Sequence, residues 1–442
     1  MNLVLAKTDT QRAVDNVFAA ARGLLPGAGP VADARAKAFE AYERIGLPHR
    51  RIEEWKYTDL RALVRDVLPL APRPDAAALA RAKAALAQEA VEGAARLVLV
   101  DGAFAPELSD LAALGKDVSV TTLREVLERE ILENDAGSGL LSTVATDPMI
   151  SLNAAMMTDG VIVTVADGKM LDHPIQIVHV ATVPSASAFT RSHLMLGKAA
   201  RATLVESFVA AEGVDAYQVN DAVILSVGDG AELSHVRLMA DAADAVNVSS
   251  AIITAGAKAK LNLFNMTGGG AVSRYQGFIT LAGEGTDLSI NGINLLKGKQ
   301  HGDTTLVVDH AVPHCTSREN FRAVVDDRGH SVFQGRIIVR PDAQKTDGKM
   351  MTRALLLSDE AEADNKPELE IFADDVTCGH GATSGALDDG LLFYLRARGL
   401  PEKEAQALLI QAFLGEAIEQ IADDSLRDFV AMQAERWLEA RR

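Results

Sequence analysis

A weak internal repeat constrains this chain more than any other feature. Ala202-Thr203-Leu204, Ala231-Glu232-Leu233, Ala259-Lys260-Leu261 and Thr286-Asp287-Leu288 occupy matching places, each a few residues after a small-residue turn. Their leucines step by 29, 28 and 27 residues. Around them, from about residue 160 to 339, helical spacing is absent. Short β-branched runs such as Val161-Ile162-Val163-Thr164-Val165 and Ala222-Val223-Ile224-Leu225 recur between Gly, Asp and Asn. A unit this short cannot bury its own apolar face, so units must stack. The expected product is a solenoid of β coils. A β-sandwich also spaces short strands regularly and stays open at this point. The strict Ca²⁺-binding nonapeptide repeat is absent, which excludes the secreted toxin type of β-roll.

The repeat is flanked by helical sequence. Val14, Val17, Phe18 and Ala21 follow helical spacing, a second helix is expected over residues 32–45, and an Ala-rich run follows Pro74. Arg96 to Val100 is a short apolar run before the Asp101-Gly102 turn signal. Beyond Leu391, Ala405, Leu408, Leu409, Ala412, Phe413, Ala417 and Ile421 form one apolar stripe, and Leu426, Phe429, Val430 and Trp437 form another. With 442 residues, two or three domains are expected. The divisions read 1–95 helical, 96–159 a mixed α/β connector, 160–385 the β core and 386–442 helical.

Composition excludes several functions. The net charge is −17, with no long Lys/Arg run, so neither nucleic acid nor an anionic membrane is an expected partner. No apolar stretch approaches the roughly 18 residues of a membrane span, and the N-terminus lacks the basic region of a signal peptide. Two cysteines, Cys315 and Cys378, are too few for a disulfide scaffold, so free thiols in the cytoplasm are expected. There is no phosphate-binding loop, no G-x-S-x-G, no H-E-x-x-H and no C-x-x-C.

The densest polar constellation is Asp374-Asp375-Val376-Thr377-Cys378-Gly379-His380-Gly381. On a strand, Cys378 and His380 share a face and could form a thiolate–imidazolium pair or offer two metal ligands. The blander readings are a packed thiol and a packed histidine. Two functions compete at this point: a zinc protein using Cys378, His380 and Cys315, and a carbohydrate-active solenoid enzyme. The enzyme would use the doublets Asp326-Asp327, Asp374-Asp375 or Asp388-Asp389. Each doublet reads more simply as a turn, and only 5% of residues are aromatic, few for a sugar-binding groove.

The run from Lys366 to Thr383, KPELEIFADDVTCGHGAT, resembles the signature of the SufB/SufD family of iron–sulfur cluster assembly scaffolds. Leu392-Phe393-Tyr394-Leu395-Arg396-Ala397-Arg398-Gly399 follows at the family's spacing. Phe333-Gln334-Gly335-Arg336-Ile337, Lys345-Thr346-Asp347-Gly348 and Leu355-Leu356-Leu357-Ser358 also match. Glu54-Trp55-Lys56-Tyr57-Thr58, the helical N-terminal region and the scarcity of cysteine resemble the SufD branch; a SufB-like paralogue is the alternative. The resemblance implies a right-handed parallel β-helix between helical terminal domains, in a non-catalytic subunit of the SUF complex. It implies pairing with a SufB-type subunit, or with a second copy of the chain, and binding of a SufC-type ABC ATPase. A transient Fe–S cluster is implied near His380 and Cys378, shared with the partner, with none held stably by the chain alone. Binding of reduced flavin by the assembled complex is left open. Phe393, Tyr394 and Arg396, beside the two apolar stripes, are the expected ATPase-docking residues.

Overall fold

The computed structural model describes residues 9–89, 91–129 and 147–441, so part of the expected connector, 130–146, lies outside the described residues. Within them the middle of the chain winds into a parallel β-solenoid. Successive strands alternate between a ten-stranded and a nine-stranded sheet. Each coil lays one strand on either sheet, parallel to the strand of the previous coil. This connectivity excludes the β-sandwich alternative. Antiparallel pairing occurs at the N-terminal end, between Ala95–Val100 and Ala103–Phe104 and between Val118–Thr122 and Val161–Val165.

The repeat sets the register. Leu225, Ile253, Ile279, Val308, Ile337 and Leu369 stack in one inward column of the nine-stranded sheet. On the facing sheet Leu233, Leu261 and Leu288 stack as the sequence spacing predicts. The first step differs: Leu233 lies opposite Ala202, and Leu204 lies opposite His235. The coil between them is two residues longer than the repeat implies, and a leucine two places along a strand still faces inward. Aliphatic columns fill the lumen, in keeping with the scarcity of aromatics.

Both helical regions pack on outer sheet faces. On the nine-stranded sheet, Trp55 is fully buried beneath the Arg274 guanidinium, 3.8 Å from its ring centroid. Trp55 Nε1 donates to Asp147 Oδ2 at 2.9 Å. Asp147 also caps the helix Pro148–Met156 by accepting from the Met149 and Ile150 amides. Arg274 pairs with Asp303 and donates to the Glu54 carbonyl, while Thr58 donates to Asp303. The Glu54–Thr58 element is therefore a clamp between the N-terminal region and the solenoid.

At the other end the helices Glu402–Ile418 and Asp424–Arg441 cross the ten-stranded sheet. Ile410, Leu414, Ile418, Leu426, Val430 and Trp437 pack there against Val236, Phe264, Ile293, Val324 and Leu355. This corrects the first of the expected stripes. Ala405, Ala417 and Ile421 are buried, but Leu408 and Ala412 are exposed, and Ile410, Leu414 and Ile418 take the inner positions. The helix is apolar nearly all round, so spacing alone could not select its buried face. Of the second stripe, Leu426, Val430 and Trp437 are buried.

Candidate functional site

The strands Thr377–Gly385 and Glu362–Ile371 end the two sheets, and neither has a further neighbour among the described residues. Alternation along the strands carries the inward columns to this edge. Cys378 stands over Gly348 and Ser317, and His380 over Met350 and Glu319. Met350 and Glu319 are buried in the lumen, so Cys378 and His380 share the inward face of the last rung. With no coil above them, His380 is exposed and Cys378 half-buried. That exposure excludes the packed-core reading of His380. Burial pushes the Cys378 thiol above its ordinary value, so an approaching metal or cation would have to draw out the thiolate.

The other candidates separate. Cys315 is fully buried, its thiol directed at the Gly283 and Pro313 carbonyls, and burial raises its pKa. It sits two coils from the last rung. His314 occupies a corner at φ 61° and reaches Glu284 at 3.8 Å. Among the described residues Cys315, Cys378 and His380 do not form a ligand cluster within the chain. The aspartate doublets serve turns and caps. Asp327 sits at φ 51°, Asp375 pairs with Lys345, and Asp388 caps the helix Asp389–Ala397.

That helix carries the remaining candidates. Phe393 is 74% exposed and Tyr394 53%, against no buried partner surface. Arg396 pairs with Glu402 at 3.4 Å, and Arg398 lies over the Tyr394 ring at 5.1 Å.

Below His380, the lumen holds a carboxyl that spacing could not flag. Glu319 is 2% exposed, accepts one long hydrogen bond from Ser317 at 3.4 Å, and keeps Oε2 unpartnered. Burial pushes it up to about 8. A raised carboxyl pKa contributes stability that is complete below the unfolded value and is lost as pH rises through the folded one. Wild type should therefore lose stability relative to Glu319→Gln between about pH 4.5 and pH 8, by roughly 2–4 kcal/mol. Urea melts at pH 5 and pH 8.5 measure this, and parallel curves for the two proteins would refute it.

No described helix is long and apolar enough to cross a membrane. A parallel solenoid whose open end carries a thiol and an imidazole on its last rung defines the class: a β-solenoid protein. Residues 179–413 match the SufBD core domain of the SUF system for FeS cluster assembly, and residues 17–177 match the SufBD N-terminal region. The chain is 33% identical over 393 residues to the iron–sulfur cluster assembly protein SufD of Escherichia coli, covering 88% of each. It is 30% identical to an iron–sulfur cluster assembly SufBD family protein of Synechocystis, covering 89% of this chain and 88% of that one. Identity to the SufD of Bacillus subtilis is 25%, covering 91% and 92%. The chain belongs to the SufBD family of iron–sulfur cluster assembly proteins.

Proposed function

We propose that the chain is a non-catalytic scaffold subunit of a SUF assembly complex. Its open solenoid end meets a SufB-type subunit there, and a nascent Fe–S cluster forms at the seam. The observation that carries this reading is the placement of Cys378 and His380 on the inward face of an unpaired edge strand. Unpaired edges invite strand addition, and addition across this edge would set a partner's side chains beside the imidazole and thiol. Imidazole and thiolate are both iron ligands. The same edge could pair two copies of this chain when the other subunit is absent.

In this reading the exposed helix Asp389–Ala397 receives a SufC-type ATPase, with Phe393 and Tyr394 as apolar anchors and Arg396 beside them. The helices beyond it are committed to the solenoid, so truncation would uncover the sheet and test nothing. Point changes on the exposed helix are the better probe. Tagged chain co-expressed with SufB- and SufC-type subunits should retain both. Phe393→Asp with Tyr394→Asp should cut ATPase retention at least about tenfold, as loss of central aromatic anchors does, without changing the melting temperature. Undiminished ATPase retention would remove this helix from the interface. Failure to retain either subunit would sink the whole reading.

A further inference from the structure

The geometry points to a second metal site, far from the open end: a divalent transition-metal site inside the lumen, formed by His179, Glu206 and Asp221. Each of these residues offers one ligand atom, and the atoms lie within 4.8 Å of one another. His179 and Glu206 come from the neighbouring strands Ile175–Ala181 and Arg201–Ala210 of the ten-stranded sheet. Asp221 comes from Gln218–Val227 on the facing sheet. All three are buried.

The hydrogen bonds prepare the ligands and leave a gap between them. Thr190 donates to Asp221 Oδ1 at 2.6 Å, and the same hydroxyl lies 3.5 Å from His179 Nδ1. A hydroxyl has one proton, and the carboxylate takes it. The hydroxyl therefore accepts from Nδ1–H, which leaves Nε2 with a bare lone pair. His179 Nε2 has no hydrogen-bond partner and stands 4.0 Å from Asp221 Oδ1. Phe208, stacked on the ring at 4.3 Å, fixes its plane.

Glu206 gives Oε2 to Arg237 and His235, both at 2.6 Å, and keeps Oε1 unpartnered. Arg237 also reaches Asp221 Oδ2 at 2.8 Å. The guanidinium thus holds the outer oxygens of both carboxylates and partly offsets their charge. What remains is an unpartnered imidazole nitrogen 4.0 Å from Asp221 Oδ1, with a Glu206 carboxylate oxygen within 4.8 Å, an arrangement that a cation between them would satisfy. One imidazole and two carboxylates suit zinc(II) or iron(II) rather than a soft copper(I) ion.

The site is tested in the full chain carrying Cys378→Ser and His380→Ala, which removes the thiol and imidazole of the open end. Protein produced in zinc-supplemented medium and desalted should carry about one equivalent of zinc by elemental analysis. Cobalt-substituted protein should show d–d absorption without a thiolate charge-transfer band. Adding His179→Gln or Glu206→Gln should lower the retained zinc about tenfold or more. The melting temperature of the metal-loaded parent should fall on chelation, while that of the His179→Gln protein should not. The spectrum of the parent decides the matter even if an interior variant fails to fold. Retained zinc below about a tenth of an equivalent, or the same zinc content in parent and both interior variants, would overturn the site, leaving water to bridge the three residues.

Discussion

Trp55→Ala should cost about 3–5 kcal/mol of stability, the range for truncating a fully buried aromatic side chain. Three contacts fail together: the ring under Arg274, the Nε1–H bond to Asp147, and the packing that seats the Glu54 carbonyl for Arg274. Arg274 and Asp303 would remain buried beside a void. Trp55→Phe keeps most of the apolar contact and loses the hydrogen bond, so about 1–2 kcal/mol is expected. Guanidinium melts give both numbers. Limited proteolysis should cut residues 9–89 first in the alanine variant, because the clamp joins that region to the sheet. A loss below about 1 kcal/mol for Trp55→Ala would show that the clamp is dispensable.

His380→Ala should have the opposite profile. The side chain is exposed on an edge strand, so its removal should change stability by no more than about 0.5 kcal/mol. In the complex proposed above, cluster absorbance and iron content should nevertheless fall to background. Cys378→Ala removes a half-buried thiol that packs against the last aliphatic column. A cost of about 1 kcal/mol with a milder loss of iron is expected. A normal iron load in His380→Ala, with a wild-type melting temperature, would exclude the imidazole from cluster assembly.

The solenoid was legible because its information is periodic. Leu233, Leu261 and Leu288 recur at the length of one coil, and each inward column repeats that constraint. The two-residue slip at Ala202 is silent in the sequence because Leu204 faces the same lumen. The pairing of Cys378 with His380 on one face followed from strand alternation alone. The lumenal carboxylates and histidines did not announce themselves. Glu206, Asp221, His235 and Glu319 each stand among ordinary strand residues; stacking sets His235 and Arg237 beside Glu206, and Arg237 reaches Asp221 across the lumen. Trp55 was visible as part of a motif, but its partners Arg274, Asp303 and Asp147 lie far along the chain. The inner face of Glu402–Ile418 was illegible because nearly every face of that helix is apolar.

The last strand ends at Gly385 and the exposed helix begins at Asp389, so residues 386–388 alone connect them. Four Cα–Cα steps span at most roughly 15 Å. The strand is bonded on one side only, whereas the helices that follow are fastened across several coils, including by Glu416 to Arg322 and Arg353. A load applied to the exposed helix is therefore shared unequally. The fastened side is stiff and the single-sided ladder is compliant, so displacement passes along a tether with little slack to the rung that carries Cys378 and His380. The short linker therefore couples a movement of the exposed helix to the edge strand that carries Cys378 and His380.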